Sequence, residues 1–225
     1  MEAWLPPSDR AVQTLLGGIT SAILHALGGL IVHSCSVQLD GGVIGFLGPS
    51  GAGKSTASRQ ADGASLFSVD RLALAPLPAA SGSAGRAGLG GRGGWMAYPL
   101  LGGTLLDPEM PRAPAVWSPL HAIFRVHHAS SACHVEACSA TGKLALLRES
   151  TYLGGHGADT ELELLSRLER LGAEVPVARL HFSLGTSLTS LLRRSVAQSP
   201  PEEEDHFATR CRHQRALRTG TTEPK

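Results

Sequence analysis

The sequence predicts a single α/β domain organised around a phosphate-binding loop, and three observations carry that prediction. A short apolar run, Val43-Ile44-Gly45-Phe46-Leu47, feeds a glycine-rich turn from Gly48 to Gly53, and a helix-compatible stretch from Lys54 to Ala61 follows. A second strand-like run, Ser65 to Val69, comes next. Strand, loop, helix and strand within some 30 residues make a βαβ unit. Finally, 225 residues with 42% hydrophobic content can bury one sizeable core.

The other elements follow in chain order. Pro6 and Pro7 mark an irregular lead-in. Ala11 to Leu27 carries apolar residues at helical spacing and ends at Gly28-Gly29. Two strand-like runs, Leu30 to His33 and Ser34 to Leu39, precede Asp40-Gly41-Gly42, a tight-turn signal. The segment 76–103 shifts to Gly, Ala, Ser and Pro and reads as a mobile loop or a poorly ordered hairpin, a flexible connector being the simplest account. Leu120 to Val126 reads as a strand, His134 to Ala137 as another, and Lys143 to Glu149 as a helix. Thr160 to Glu163 resembles a capping box ahead of a helix with Leu164, Leu165, Leu168 and Leu171 on one face. Val175 to Phe182 is a last strand, placed at an edge by Pro176. The domain is expected over 11–194. The polar 195–225 stretch, with its run Glu202 to Asp205, is expected to be a disordered tail.

Composition narrows the function classes. Twenty Lys and Arg against nineteen Asp and Glu give a net charge of +1, which offers no global field for nucleic acid or an anionic membrane. Four cysteines do not form a disulfide framework. The stretch from Leu15 to Val32 is interrupted by glycines and His25, so a buried helix followed by a strand is expected rather than a membrane span. MEAWLPPSDR has no basic region ahead of an apolar core, and the expected compartment is the cytoplasm.

Gly48-Pro49-Ser50-Gly51-Ala52-Gly53-Lys54-Ser55-Thr56 satisfies G-x-x-x-x-G-K-[ST] in full. Glycines let the backbone fold back and aim successive N–H groups at a polyphosphate, and the following helix adds its positive end. Lys54 is placed to reach β- and γ-phosphate oxygens, and the Ser55 hydroxyl to complete a Mg²⁺ shell. Thr56 is expected to cap or pack. Asp70 ends the next strand-like run, which sets it beside the loop as a Mg²⁺ ligand or as the acceptor of a hydroxyl proton. The bland alternative is a strand-end Asx turn. The chain has neither a Leu-Ser-Gly-Gly-Gln stretch nor an Asn-Lys-x-Asp motif, so a transporter ATPase and a GTPase are poorly supported.

His33-Ser34-Cys35-Ser36-Val37, a glycine turn, a strand, GPSGAGKST and then Ser68-Val69-Asp70-Arg71 resemble the catalytic domain of the HPr kinase/phosphorylase family, and its short members most closely. His33 stands fifteen residues before Gly48, the spacing of that family's upstream histidine. The resemblance spans about Leu15 to Leu192 and is specific at 33–71. It implies a P-loop-containing single domain of the HPr-kinase type, akin to the nucleotide domain of phosphoenolpyruvate carboxykinase, with a mixed sheet. It further implies a kinase that uses ATP and Mg²⁺ to phosphorylate a serine on a small protein or peptide. Lys54, Asp70 and His33 take catalytic places, residues 48–56 bind nucleotide, and Ser55 and Asp70 hold the metal. The larger relatives are hexamers, so a homo-oligomer is in keeping. Two departures stand out: Val69 replaces the first of the family's two aspartates, and the helix after the loop is about two residues shorter. These motivate a second reading, a catalytically impaired ATP-binding module. A generic P-loop ATPase is the third. The glycine-rich element that holds the larger enzyme's second metal carboxylate has no clear counterpart; Asp107 or Glu109 is a guess at that place.

Weaker constellations have simpler accounts. Cys133-His134-x-Glu136-x-Cys138 suggests zinc, with Cys211-x-His213 as the other pair, yet alternation on a half-buried strand explains it better. His127-His128 reads as a solvated strand end. Arg71 could touch a phosphate or pair with a carboxylate. Trp95, Tyr98 and Trp117 could line an acceptor groove, though core filling is the simpler role.

Overall fold

At the centre of the computed structural model, which describes residues 19–77, 94–100, 110–130, 132–152 and 158–197, is a locally encoded hairpin. Strands β1 (Leu30–Leu39) and β2 (Gly42–Leu47) pair antiparallel with Leu39 opposite Gly42. The two connecting residues, Asp40 and Gly41, have φ of 51° and 81°. A type I′ turn requires two such left-handed residues, and Asp-Gly adopts them at low cost. The two runs expected at 30–33 and 34–39 are one continuous strand. Every residue of β2 is buried, as an unbroken apolar run demands of a strand covered on both faces.

On its other side β1 changes partner. Ser36 to Gln38 pair with β3 (Ser65–Ser68), and Leu30 to His33 pair with β4 (Arg71–Pro76), both antiparallel. Val69 and Asp70 therefore lie where one neighbour gives way to the next. Helix α2 (Lys54–Arg59) joins β2 to β3. The expected βαβ unit is right in direction and wrong in pairing, because β2 and β3 run parallel with β1 between them.

The glycine-rich segment contains a regular strand. β5 (Trp95–Pro99) pairs with β4, Trp95 opposite Pro76, so the segment ends in the base of a hairpin, and Trp95 is buried in the core. Residues 78–93 and 101–109 lie outside the described set. β6 (Ser118–His128) extends the expected strand at both ends and runs parallel to β2 on one side and to β8 (Val177–Phe182) on the other. β7 (His134–Ala137) pairs antiparallel with β8. The sheet is mixed, in the order β2-β1-β4-β5-β6-β8-β7, with β3 on β1 and an extra β2–β6 pairing that closes five strands into a ring. Thus β8 is not an edge strand. Pro176 precedes its first residue, where the missing N–H interrupts no ladder, and the Pro176 carbonyl accepts from the Ile123 amide at 2.9 Å.

Helices cover both faces of the central strands. Leu47 and Ile123 join a cluster with Leu147, Leu168 and Leu171 from α3 (Ala140–Ser150) and α4 (Ala158–Glu174). Their chain neighbours Phe46 and Phe124 join Ala57, Leu188 and Leu192 beneath α2 and α5 (Thr189–Ala197). That alternation is the two-residue period of a strand buried on both faces. Helix α3 opens on Ser139, whose hydroxyl accepts from the Gly142 amide at 3.1 Å. Helix α4 begins at Ala158, two residues before Thr160, so the expected capping box is not its start. Helix α5 was not anticipated and runs past the expected boundary at 194; Leu188 N–H and Thr189 Oγ1 tie its start to the carbonyls of Gln60 and Asp62. A first helical segment, α1, covers 19–26 and ends at Gly28, φ 78°, before β1 begins. Among the described residues, no helix is long and apolar enough to cross a membrane.

Leu168 is fully buried between α4 and the sheet, whereas Leu162 on the same helix is 71% exposed. Leu168→Ala is expected to cost about 3–5 kcal/mol in urea unfolding, and Leu162→Ala less than about 0.5. Equal losses would contradict this burial pattern.

Candidate functional site

The loop after β2 is shaped by glycines that cannot be replaced freely. Gly53 caps α2 with φ 94°, and a Cβ there would stand 2.9 Å from the Phe182 ring. A Cβ on Gly48, φ 153°, would stand 2.9 Å from the Ala52 Cβ. Lys54, the first residue of α2, is buried, and its Nζ donates to the Gly48 carbonyl at 2.7 Å and the Pro49 carbonyl at 3.0 Å. Burial pushes the Lys54 ammonium below its ordinary value; Asp70 opposes the shift and Arg125 reinforces it. Beneath the loop, the Ser58 hydroxyl donates to the Lys54 carbonyl at 3.1 Å, which leaves its oxygen to accept from the Cys35 thiol at 2.9 Å. Burial raises the Cys35 thiol and keeps it in the donor form.

His33 and Asp70 are brought together by the partner exchange along β1. His33 lies opposite Arg71 in the ladder, and the Ser34 amide donates to the Asp70 carbonyl at 3.1 Å. His33 Nδ1 is 3.8 Å from Asp70 Oδ1, and Arg71 Nε is 3.4 Å from Asp70 Oδ2. Arg71 thus resolves to a carboxylate partner. Its guanidinium also sits 4.9 Å over the Tyr152 ring, which stacks on His33 at 6.2 Å and 21° with its hydroxyl 3.4 Å from Nδ1. Burial lowers the His33 pKa below 6.5, the Lys54 and Arg71 charges add to that, and Asp70 opposes it. The imidazole is therefore neutral at pH 7.

One cleft of about 340 Å³ joins His33 to Gly48, Pro49 and Ser50 of the loop. Its other wall comes from Arg125 on β6 and from Glu149 to Tyr152 at the end of α3. That end is stitched to β1: Thr151 bridges Val32, and the Tyr152 amide donates to the Ile31 carbonyl at 2.9 Å. Arg125 lies opposite Leu47, the last residue before the loop, and forms a two-pronged pair with Glu149 at 2.7 and 3.1 Å. Sequence reading missed this wall. Its one available signal was an arginine set between the apolar neighbours Phe124 and Val126. Tyr152 gave none, because only long-range pairing brings it to His33.

The remaining candidates sort as follows. Ser55 and Thr56 are half-buried on the first turn of α2, Ser50 and Gly51 are exposed, and Ala52 is half-buried. The hydroxyl of Ser55 and carboxylate of Asp70 are hard oxygen donors of the type Mg²⁺ takes. Glu136 is engaged by Arg179 at 3.1 Å and His181 Nε2 at 3.0 Å, and Cys133 bonds Ser183. Among the described residues no group of three or more His, Cys, Asp or Glu could hold a metal ion. Asp107, Glu109, Cys211 and His213 lie outside the described residues. His127 is not a solvated strand end: the β6–β8 register sets it opposite His181, on which it stacks at 5.2 Å, and only His128 is exposed. Trp95 fills core, while Tyr98 packs at 5.3 Å on the exposed Trp117. No protein-family model matches the chain, and no curated protein matches it.

Histidine NMR titration is expected to place His33 below 6.5, and Asp70→Asn to move it lower still by removing the opposing charge. The unfolded chain then binds the His33 proton first as pH falls, so stability declines as pH drops below about 6.5. His33→Gln should flatten that decline. A His33 pKa above 6.5 would contradict this geometry.

Proposed function

We propose that the chain is an ATP- and Mg²⁺-dependent kinase that phosphorylates a serine on a small protein or peptide. The observation that carries this reading is the cleft joining His33 to Gly48, Pro49 and Ser50 of the loop, with Asp70 beside His33 and Lys54 bonded to the Gly48 and Pro49 carbonyls. It joins a phosphate grip to an acid–base pair, which a phosphate loop serving only as a structural turn does not need. The sequence resemblance at 33–71 points the same way.

ATP with Mg²⁺ would supply the phosphoryl group, the γ-phosphorus passing from the β,γ-bridging oxygen to the seryl Oγ. The chain's own groups have separable tasks. The loop amides and the Lys54 ammonium bind phosphate oxygens, with Lys54 exchanging the Gly48 and Pro49 carbonyls for them. Ser55 and Asp70 would hold the metal. Asp70 also lies beside neutral His33, so the seryl proton has an acceptor in the Asp70–His33 pair. Arg71 contacts the Asp70 carboxylate and Tyr152 the His33 ring, which fixes that pair.

A second reading is favoured by Val69. With one carboxylate at 69–70, already facing Arg71 and His33, the same group must serve metal and proton, and an ATP-binding module without transfer becomes the alternative.

Transfer from γ-labelled ATP to candidate acceptors separates the two. Lys54→Ala should abolish nucleotide binding and transfer together. Asp70→Asn should keep nucleotide binding and lower the transfer rate at least about 100-fold. Binding without transfer by the wild-type protein would favour the module. Absence of any Mg²⁺-assisted affinity for a nucleoside triphosphate at millimolar concentration would overturn both.

A further inference from the structure

Arg125 carries a permanent charge that is 13% exposed, while its partner Glu149 is 57% exposed. A buried guanidinium normally takes an equally buried partner, because a solvated carboxylate returns little for the cost of desolvating the cation. The arrangement here is lopsided: the cation is fixed in the wall and the anion stands at its mouth. Arg125 is also fixed relative to the phosphate loop. Its backbone lies beside Leu47 in a parallel ladder, both residues on buried strands, and its charge reaches Lys54. Two cations are therefore fixed about Gly48 to Ser50 from different elements: Lys54 on α2, bonded to the Gly48 and Pro49 carbonyls, and Arg125 on β6, which lines the cleft and is bonded to an exposed carboxylate.

A planar guanidinium that binds a carboxylate through two parallel N–H···O bonds presents the same fork to a phosphate. From this geometry we infer that Arg125 is the reader of the terminal phosphate and that Glu149 holds it in reserve, being displaced when a triphosphate enters the cleft. The inference rests on the nucleotide-binding reading above and deepens it by assigning discrimination of tri- from diphosphate to a β6 residue outside the loop motif. Glu149 mimics the anion and competes with it. No covalent step is involved; one two-pronged ion pair is exchanged for another.

Calorimetric titration with Mg-ATP and Mg-ADP tests it. Wild-type protein should prefer ATP. Arg125→Gln should reduce the ATP/ADP affinity ratio about tenfold with ADP affinity nearly unchanged, and Arg125→Lys should lose most of the same ratio because a point charge lacks the fork. Glu149→Gln keeps a hydrogen-bond partner for Arg125, which protects the fold, and should raise ATP affinity several-fold by removing the competitor. An unchanged ratio in Arg125→Gln, or weaker ATP binding in Glu149→Gln, would overturn the assignment and make the pair a clasp between β6 and α3. Should Lys54→Ala abolish ATP binding while Arg125→Gln leaves the ratio intact, nucleotide binding stands and only the role of Arg125 falls. Absence of nucleotide binding in the wild-type protein overturns both.

Discussion

Strand β1 has more edge to satisfy than any single neighbour covers, and most of the molecule's organisation answers that requirement. A buried backbone N–H or C=O without a partner is costly, so a ten-residue strand running through a core must find partners along both sides. One side is taken by β2 over Ser34 to Leu39, through the hairpin, and by the end of α3 at Ile31 and Val32. The other is shared between β3 and β4, and the exchange leaves a short unpaired step at Val69 and Asp70. The Ser34 amide, opposite that step, takes the Asp70 carbonyl instead. Asp70 therefore meets His33 because the sheet changes hands there.

The same strand anchors the second wall of the cleft. The end of α3 bonds back to Ile31 and Val32, which delivers Tyr152 to His33 and Glu149 to Arg125. Loop, acid and wall are thus referred to one rigid strand pair, β1 and β2. Their side chains differ in freedom: Lys54 and Arg125 are enclosed, while Glu149 is open to water. A site that fixes its cations and leaves its anion exposed is electrostatically prepared for a negatively charged guest.

The legible parts of the sequence are those governed by neighbours in the chain. Asp40-Gly41 dictates a left-handed turn, the run Val43 to Leu47 dictates a buried strand, and Gly48 to Lys54 dictates a loop followed by a helix. The illegible parts depend on distant pairing. Nothing local in Val177–Phe182 says that β6 and β7 flank it, and Pro176 pointed to an edge although it stands just outside the ladder. The Thr189–Ala197 helix was hidden by its polar face, since within it only Thr189 and Leu192 are buried, with Leu191 and Val196 half-buried against the same core. Tyr152 and Arg125 reach the cleft through contacts across 119 and 24 residues, respectively, to His33 and Glu149, and no period or motif records such distances.

The closed circuit of β2, β1, β4, β5 and β6 bears on how the molecule comes together. The hairpin can zip early from its own turn, but the circuit shuts only when β6 arrives beside β2 from more than seventy positions downstream. Joining such remote segments is entropically slow, and it is the event that sets Arg125 next to the glycine loop. The cleft is consequently a late product of folding, and loosening its β6 wall means breaking the circuit itself.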